Sequence, residues 1–544
     1  MRKSRGEAFL LTAILAVFAG CYGALSWLAD GLYLDTHEGD TYHLLDILTR
    51  MDAGAVPHVD FLTPLGALSF WPIHGFMQTG FSAGQAMVLA QLAFAACLFL
   101  PLVYAANTRL ARGPALYFGV IALGLVLALS YGTARSGVGI SMHYNRWAWA
   151  VSFVMVLLAF ASSRGPSRPL FDGLLIGVLG AALLLLKITY FVTLVPLAAM
   201  ALLSMHGLRG LVFAVAGGAV VAGAVAAFQG FGFWLAYFAD LRLVAGNDIR
   251  PYVGVSFDQI VAGPRFIAAT LVVVAAALVI RTTRKGALGL AALLLVPAFL
   301  YITYQNFGND PQWLLFIPVL LWALRPEAGA AELFKVDARH FANLTALAAL
   351  VVFFPSLFNI ALSPVKHMSF DQARFLPMLP EDQAHQDVFI RRDRAYMMTA
   401  QVYRDQQPGA WNAYEAEVAR APVPELGGVA FPYCEFMAGS RAMLETLGAD
   451  LRAANLPAGS RLFTADLLAA YWFFAPVAPP EGSAPWYYGK LTGLRNADYV
   501  MVPKCAFTTY ARNVILRELN ASDYALTLVR DNELMALYRV GDQP

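Results

Sequence analysis

The segment Asp35-Thr36-His37-Glu38-Gly39-Asp40 places three carboxylates and a histidine within six positions, directly after the first long apolar run. Carboxylates gathered at the edge of a membrane suit removal of a proton from a hydroxyl, because their environment can tune one of them into a base. The same acids would also serve as solvated residues capping a helix that starts near Thr41. Lys187 alone interrupts the apolar run from 173 to 205. An ammonium is costly in hydrocarbon unless solvated or paired, and a lipid phosphate at headgroup depth would pair it. A lysine snorkelling at a turn reads identically. The stretch 134–146 holds Arg135, His143, Tyr144, Asn145 and Arg146 and no carboxylate, which suits contact with a phosphate or a glycan. Arg146 beside Trp147 and Trp149 would equally be an interfacial anchor. Asn306, Asn309 and Asp310 lie in a short link rich in hydrogen-bonding side chains, fit either to line a sugar pocket or to cap the next helix. No His/Cys cluster has zinc spacing, and neither a Gly-x-Ser-x-Gly elbow nor a glycine-rich phosphate loop occurs.

Of the 544 residues, 59% are hydrophobic and 14% charged, too apolar a balance for a soluble fold of this length. A net charge of +2, without basic clusters, gives no surface for nucleic acid. The run from Ala8 to Ala29 follows Arg2, Lys3 and Arg5 and is long enough to cross about 30 Å of hydrocarbon. Phe18-Ala19-Gly20-Cys21 is similar to a lipoprotein cleavage box, but the apolar run continues to Leu28, as an uncleaved helix requires. Further runs fall near 82–106, 114–133, 147–162, 171–186, 188–205, 211–229, 266–280, 287–304, 312–324 and 342–362, making about eleven transmembrane helices with a hairpin at Lys187. Arg109 and Arg112, Arg164 and Arg168, Arg209, Arg281 to Lys285, and Arg325 to Arg339 fall on alternate loops, which the positive-inside rule makes cytoplasmic together with the N-terminus.

The expected fold is thus an α-helical polytopic membrane domain over 1–362, with a structured first external loop at 30–81, and a small soluble extracytoplasmic α/β domain over 363–544. Within the loop, Tyr42 to Ala53 sets Leu44, Ile47, Leu48 and Met51 on one helical face and pairs Asp46 with Arg50, the pattern of an interfacial helix. Leu65 to Met77 predicts a second surface helix beginning at Pro64. In the C-terminal region, Arg461 to Asp466 and Asp498 to Val502 read as buried strands, Tyr510 to Leu519 as a helix, and Tyr524 to Val540 as a hairpin. Cys434 and Cys505 could pair there if the compartment is oxidising, or remain two buried thiols; Cys21 and Cys97 sit in apolar runs as small hydrophobes.

The passage Gly54-Ala55-Val56-Pro57-His58-Val59-Asp60-Phe61-Leu62-Thr63-Pro64-Leu65-Gly66, with the acidic stretch and surface helix before it, resembles the type C (GT-C) glycosyltransferases, in the bacterial branch related to protein mannosyltransferases and aminoarabinose transferases. That branch carries an Asp-Glu-containing stretch after helix one, then Gly-x-x-Pro-Tyr-x-Asp-Phe and a Pro-Gly turn. Here His37 stands where Asp is common and His58 where Tyr is usual. Leu186-Lys187-Ile188-Thr189-Tyr190-Phe191 is similar to the family's Leu-Thr-Lys-x-x-Tyr/Phe segment. The resemblance implies a GT-C-like fold in a bacterial inner membrane with a periplasmic C-terminal domain. It implies an inverting glycosyltransferase that moves a sugar from a polyprenyl-phosphate donor to a glycan or lipid-linked acceptor. Asp40 or Glu38 would be the base, with Asp35 in reserve; Lys187, Arg135, His143 or Arg146 would meet the donor phosphate; Asn306, Asn309 and Asp310 would bind substrate; Asp60 would be structural. Several families of this kind place a divalent cation such as Mg or Mn with a second acidic motif, for which 134–146 has no carboxylate. The competing classes are a transporter or flippase of lipid-linked glycans, which would show repeated halves and mid-membrane charges, and an O-antigen-type polymerase or ligase.

Overall fold

The computed structural model describes residues 5–134, 136–246, 255–403, 406 and 422–541; Arg135, one of the expected phosphate contacts, lies outside them. The chain is an integral membrane protein. Six helices are long and apolar enough to cross a membrane: Gly6–Trp27, Ala83–Arg109, Pro169–Leu186, Ile188–Gln229, Gly286–Gln305 and Ala338–Met368. Ile188–Gln229 is two spans in succession, because Gly207 breaks the helix with φ 62° and ψ −163°, a conformation that glycine adopts without a Cβ clash. The shorter helices Arg112–Leu127, His143–Phe160 and Ile267–Thr283 fill the remaining expected positions. The run at 312–324 departs from a plain span: it is a 3-10 turn, Gln312–Leu315, followed by the seven-residue helix Ile317–Ala323. Pro311 before the turn and Pro318 in the first turn of the helix limit continuous helix there.

At one end of the bundle, Asp172 in the first turn of Pro169–Leu186 is fully buried. It accepts from the Tyr104 hydroxyl at 2.7 Å and pairs with Arg109 at 2.7 Å, with His206 at 3.4 Å. Removing one partner of such a pair strands the other charge. Asp172→Asn is therefore expected to cost roughly 3–5 kcal/mol, read as a lower unfolding midpoint in detergent, with Arg109→Met/Asp172→Leu together recovering most of it.

The other end carries the loop at 30–81 and the C-terminal region, which interlock. Strand Leu32–Leu34 runs parallel to Val388–Arg391, itself antiparallel to Phe375–Pro377, in a three-stranded sheet uniting the two ends of the chain. Helix Glu38–Asp52 follows. Its Asp46 and Arg50 pair at 2.5 Å as the spacing predicts. The expected interfacial setting is corrected, however: the polar face is covered by the C-terminal region, where Trp472 Nε1 donates to Asp46 at 3.1 Å and Arg50 donates to Ser483 Oγ at 3.0 Å, while Leu44, Ile47, Leu48 and Met51 are buried on the other side. The second predicted surface helix begins later than Pro64, as a 3-10 turn at Ala67–Ser69 and then helix Trp71–Met77 with Pro72 in its first turn.

Beyond Met368 the chain forms a small α/β domain. A five-stranded sheet runs in the order Val477–Ala478, Ser460–Thr464, Tyr499–Pro503, Met535–Val540, Leu526–Asp531, its first pairings parallel and its last two antiparallel. Helix Thr509–Asn520 packs Val514, Ile515 and Leu519 against Val500, Val502 and Tyr538. Cys434 and Cys505 are joined as a disulfide with Cα atoms 4.6 Å apart. Asp466, at the end of one central strand, accepts from Leu467 N, Phe507 N and the Tyr471 hydroxyl at 2.7–2.8 Å, and burial pushes its carboxyl up to about 6. Between about pH 4, where the unfolded group titrates, and about 6 the folded group keeps a proton that the unfolded chain has lost. Its contribution is therefore fully present below pH ~4 and lost as pH rises through the folded value, about 3 kcal/mol in all. Asp466→Asn should remove this share of the pH dependence, seen by comparing unfolding midpoints of the two proteins from pH 4 to 7.

Candidate active site

Where the interlocked end meets the bundle, a cavity of about 540 Å³ is lined by Asp40, His43, Tyr144, Lys187, Trp486 and Tyr488 and continues along apolar side chains that include Val192, Leu241 and Val244. Two chain features fix its floor. Helix Pro169–Leu186 ends at Lys187, whose extended backbone (φ −159°, ψ 117°) joins it to the next helix at once. The turn after Pro64 seals that junction: Gly66 N and Ser69 Oγ both donate to Leu186 O at 3.1 Å. A Cβ on Gly66 would lie 2.0 Å from Leu185 O, so only glycine permits this approach. The rest of the Gly54 to Gly66 passage braces the loop. His58 Nδ1 meets Asp240 at 3.0 Å, Thr63 N donates to the same carboxylate at 3.1 Å, and Asp60 accepts from Val56 N at 2.7 Å.

The three acids of the first loop separate by what they touch. Asp35 accepts from Val138 N at 2.7 Å and pairs with Lys366 at 3.1 Å, tying two loops and the last long helix together. Glu38 forms a two-pronged pair with Arg394 of the C-terminal domain, one arm at 2.9 Å. Asp40 alone of the three lines the cavity. It accepts from the Ser141 hydroxyl, with His37 beside it stacked on Tyr131 at 4.4 Å. Burial is the largest influence on Asp40 and holds its carboxyl above the usual carboxylate range, against the opposing pull of Ser141 and His37.

Lys187 lies in the same cavity. It is 5% exposed, and its Nζ donates to Asn145 Oδ1 at 3.2 Å and Asn306 Oδ1 at 2.5 Å, 5.5 Å from the Tyr144 ring centroid. Asn306 is in turn oriented by its own donation to the Tyr190 hydroxyl at 2.9 Å.

The other expected contacts go elsewhere. Arg146 is fully buried and donates to Ala128 O at 2.8 Å, while Trp147 Nε1 donates to Val126 O at 3.1 Å. Both complete carbonyls at the end of helix Arg112–Leu127, a need that chain spacing does not display. His143 is buried against Ser69 O at 2.9 Å. Asn309 accepts from the Tyr131 hydroxyl, and Asp310 from Ser356 Oγ at 2.6 Å and Arg265 at 2.5 Å. Neither these nor Asn306 line the cavity, whereas their neighbours Gln305 and Phe307 do. Among the described residues no three His, Cys, Asp or Glu side chains come together as a metal ligand set. Sequence reasoning missed His43, although it lies three positions after Asp40 on one helix, and missed Trp486 and Tyr488, which only the folded C-terminal domain delivers.

No family model matches the chain, and no curated protein does. The chain is similar to the crystal structure of ArnT from Cupriavidus metallidurans bound to undecaprenyl phosphate, at 10% sequence identity, covering 98% of each chain, with a TM-score of 0.40. At that depth the likeness assigns no side chain a role.

Proposed function

We propose that the chain is an inverting glycosyltransferase that moves a sugar from a polyprenyl-phosphate donor to a hydroxyl of a glycan or lipid-linked acceptor on the extracytoplasmic side of a bacterial inner membrane. The observation that carries the reading is one cavity holding a carboxylate and an ammonium, Asp40 and Lys187, with an apolar flank. A polyprenyl chain suits the flank, its phosphate suits Lys187, and the acceptor hydroxyl suits Asp40.

The chemistry is a single displacement. The acceptor oxygen attacks the anomeric carbon and forms the new C–O bond as the bond from that carbon to the phosphate oxygen breaks. The hydroxyl proton passes to Asp40, the electron pair leaves with the phosphate, and Lys187 meets the charge that grows there. One in-line displacement inverts the anomeric carbon. Glu38 and Asp35 hold the loop that presents Asp40 rather than meeting substrate.

The orientation draws support from the bundle. Gly84 N and Gln85 N donate to Asp387 of the C-terminal region, while Arg109, at the far end of the same helix, sits beside Asp172 and the basic loops. Arg109 thus lies at the end remote from the cavity, with Arg164 N donating to Thr108 O beside it, and basic loop residues there suit a cytoplasmic face.

The test is transfer of radiolabelled sugar from a panel of synthetic polyprenyl-phosphate sugars by the purified full-length chain in nanodiscs. Turnover with inversion supports the reading. Tight polyprenyl-phosphate binding with no turnover from any donor, and lipid movement in a flipping assay, would replace it with a carrier.

A further inference from the structure

We infer that the wall made by His43, Trp486 and Tyr488 is a subsite for a pyranose ring of the acceptor, one helical turn from Asp40; this rests on the glycosyltransferase reading. His43 follows Asp40 by three positions on helix Glu38–Asp52, so the two share a face, and both line the cavity. The imidazole stands 5.4 Å from the Trp486 ring and 6.3 Å from that of Tyr488, in tilted and edge-on arrangements. Its Nε2 is buried and meets no hydrogen-bond partner among the described residues. A buried polar atom left so is costly, and a ligand hydroxyl would complete it.

The C-terminal domain presents the two rings by alternation along an extended segment. Trp486 and Tyr488 reach the cavity, while Tyr487 between them is buried in the domain's own core, its hydroxyl donating to Glu518 at 2.9 Å and its backbone N–H to Leu467 O at 2.7 Å. The segment before them is locked to the helix by Arg50 donating to Ser483 and to the loop that follows the helix by Gly482 N donating to Asp60 O at 2.8 Å. The wall is therefore built from two distant parts of the chain and held in place by both.

Its chemistry fits a neutral sugar. A pyranose has a face of C–H bonds that packs on an aromatic ring and a rim of hydroxyls that needs a few placed polar groups. Burial and the charge of Arg50 press His43 down to about 3, so it stays a neutral imidazole, with one nitrogen to donate and one to accept. A phosphate is better served by Lys187, the one cation among the described residues lining the cavity. Donor phosphate and acceptor ring thus take different walls, with Asp40 on the acceptor's side.

The experiment uses the full chain in nanodiscs, saturation-transfer NMR with methyl pyranosides of glucose, galactose, mannose and N-acetylglucosamine, and a separate binding assay with radiolabelled undecaprenyl phosphate. At least one pyranoside is expected to bind. Trp486→Ala and His43→Phe should each weaken it roughly tenfold, His43→Gln should retain more than His43→Phe, and undecaprenyl-phosphate binding should not change. Tyr488→Ser serves in place of Trp486→Ala should that variant unfold. No pyranoside bound by the unaltered protein, or undecaprenyl phosphate weakened as much as the sugar, would overturn the subsite. If transfer is active but the acceptor KM is unmoved in His43→Phe and Tyr488→Ser, the subsite falls and the glycosyltransferase reading stands. If pyranosides bind at this wall but no donor is turned over, the wall stands as a pyranose site, and its acceptor role falls with the glycosyltransferase reading.

Discussion

Asp40→Asn is expected to lower kcat for sugar transfer by about 10²–10⁴-fold, the usual worth of a general base, with little change in the KM for donor. Asparagine keeps the size of the side chain and can still accept from Ser141, so the loop should hold its shape while losing the atom that takes the proton. The pH profile carries a second signature. Burial raises the carboxyl of Asp40, so the fraction present as carboxylate is smaller at low pH than for a solvated acid. Activity should climb with pH along a limb that lies above the ordinary carboxylate value of about 4, and the residual rate of the Asn variant should lack it. Glu38→Gln separates the base from its supports. It breaks the pair with Arg394 that ties the loop to the C-terminal domain, so it should lower the unfolding midpoint far more than it lowers kcat. If Glu38→Gln at unchanged folding lost as much kcat as Asp40→Asn, the assignment of the base would be wrong.

The difference between these acids shows what chain order could and could not reveal. Hydropathy placed the long spans because each must satisfy its backbone within itself in an apolar solvent, and that demand is written residue by residue. Lys187 was legible for the same reason, as the single charge in a long apolar run. The i, i+4 pair of Asp46 and Arg50 was legible because helical neighbours are set by spacing. Partners from far along the chain were not. Glu38 and Asp40 are two residues apart and chemically alike, and only Arg394, some 350 positions on, makes one a tether and leaves the other in the cavity. Arg146 reads from the sequence equally as a phosphate contact and as an interfacial anchor, because the backbone carbonyls that it meets have no sequence signature. The parallel pairing of Leu32–Leu34 with Val388–Arg391 was hidden likewise: three residues carry too little periodicity to announce a strand. The strands and the hairpin of the C-terminal domain, with local patterns of five or six residues, were visible.

Lys187→Met is expected to lower kcat/KM for a polyprenyl-phosphate donor by about 10²–10³-fold, the scale on which a preorganised donor to developing charge contributes. The substitution keeps an unbranched apolar stem and removes the charge. It also leaves Asn145 and Asn306 without the ammonium from which their oxygens accept, a cost to folding that must be read separately by unfolding midpoint. Arginine should restore the charge without the rate, because a planar fork cannot reproduce a compact ammonium seated between two amide oxygens at a helix junction. Asn306→Ala tests the same site through its positioning residue. It leaves the charge and removes one arm of its seat, so its loss should be smaller than that of Lys187→Met and should fall on kcat rather than on donor KM. Binding of the intact polyprenyl-phosphate sugar, before any charge has developed, divides the remaining possibilities. If Lys187 meets charge chiefly as the phosphate departs, Lys187→Met should weaken ground-state binding by much less than it lowers kcat/KM. An equal loss of both would mean that the ammonium anchors the lipid and stabilises the transition state no better than the ground state.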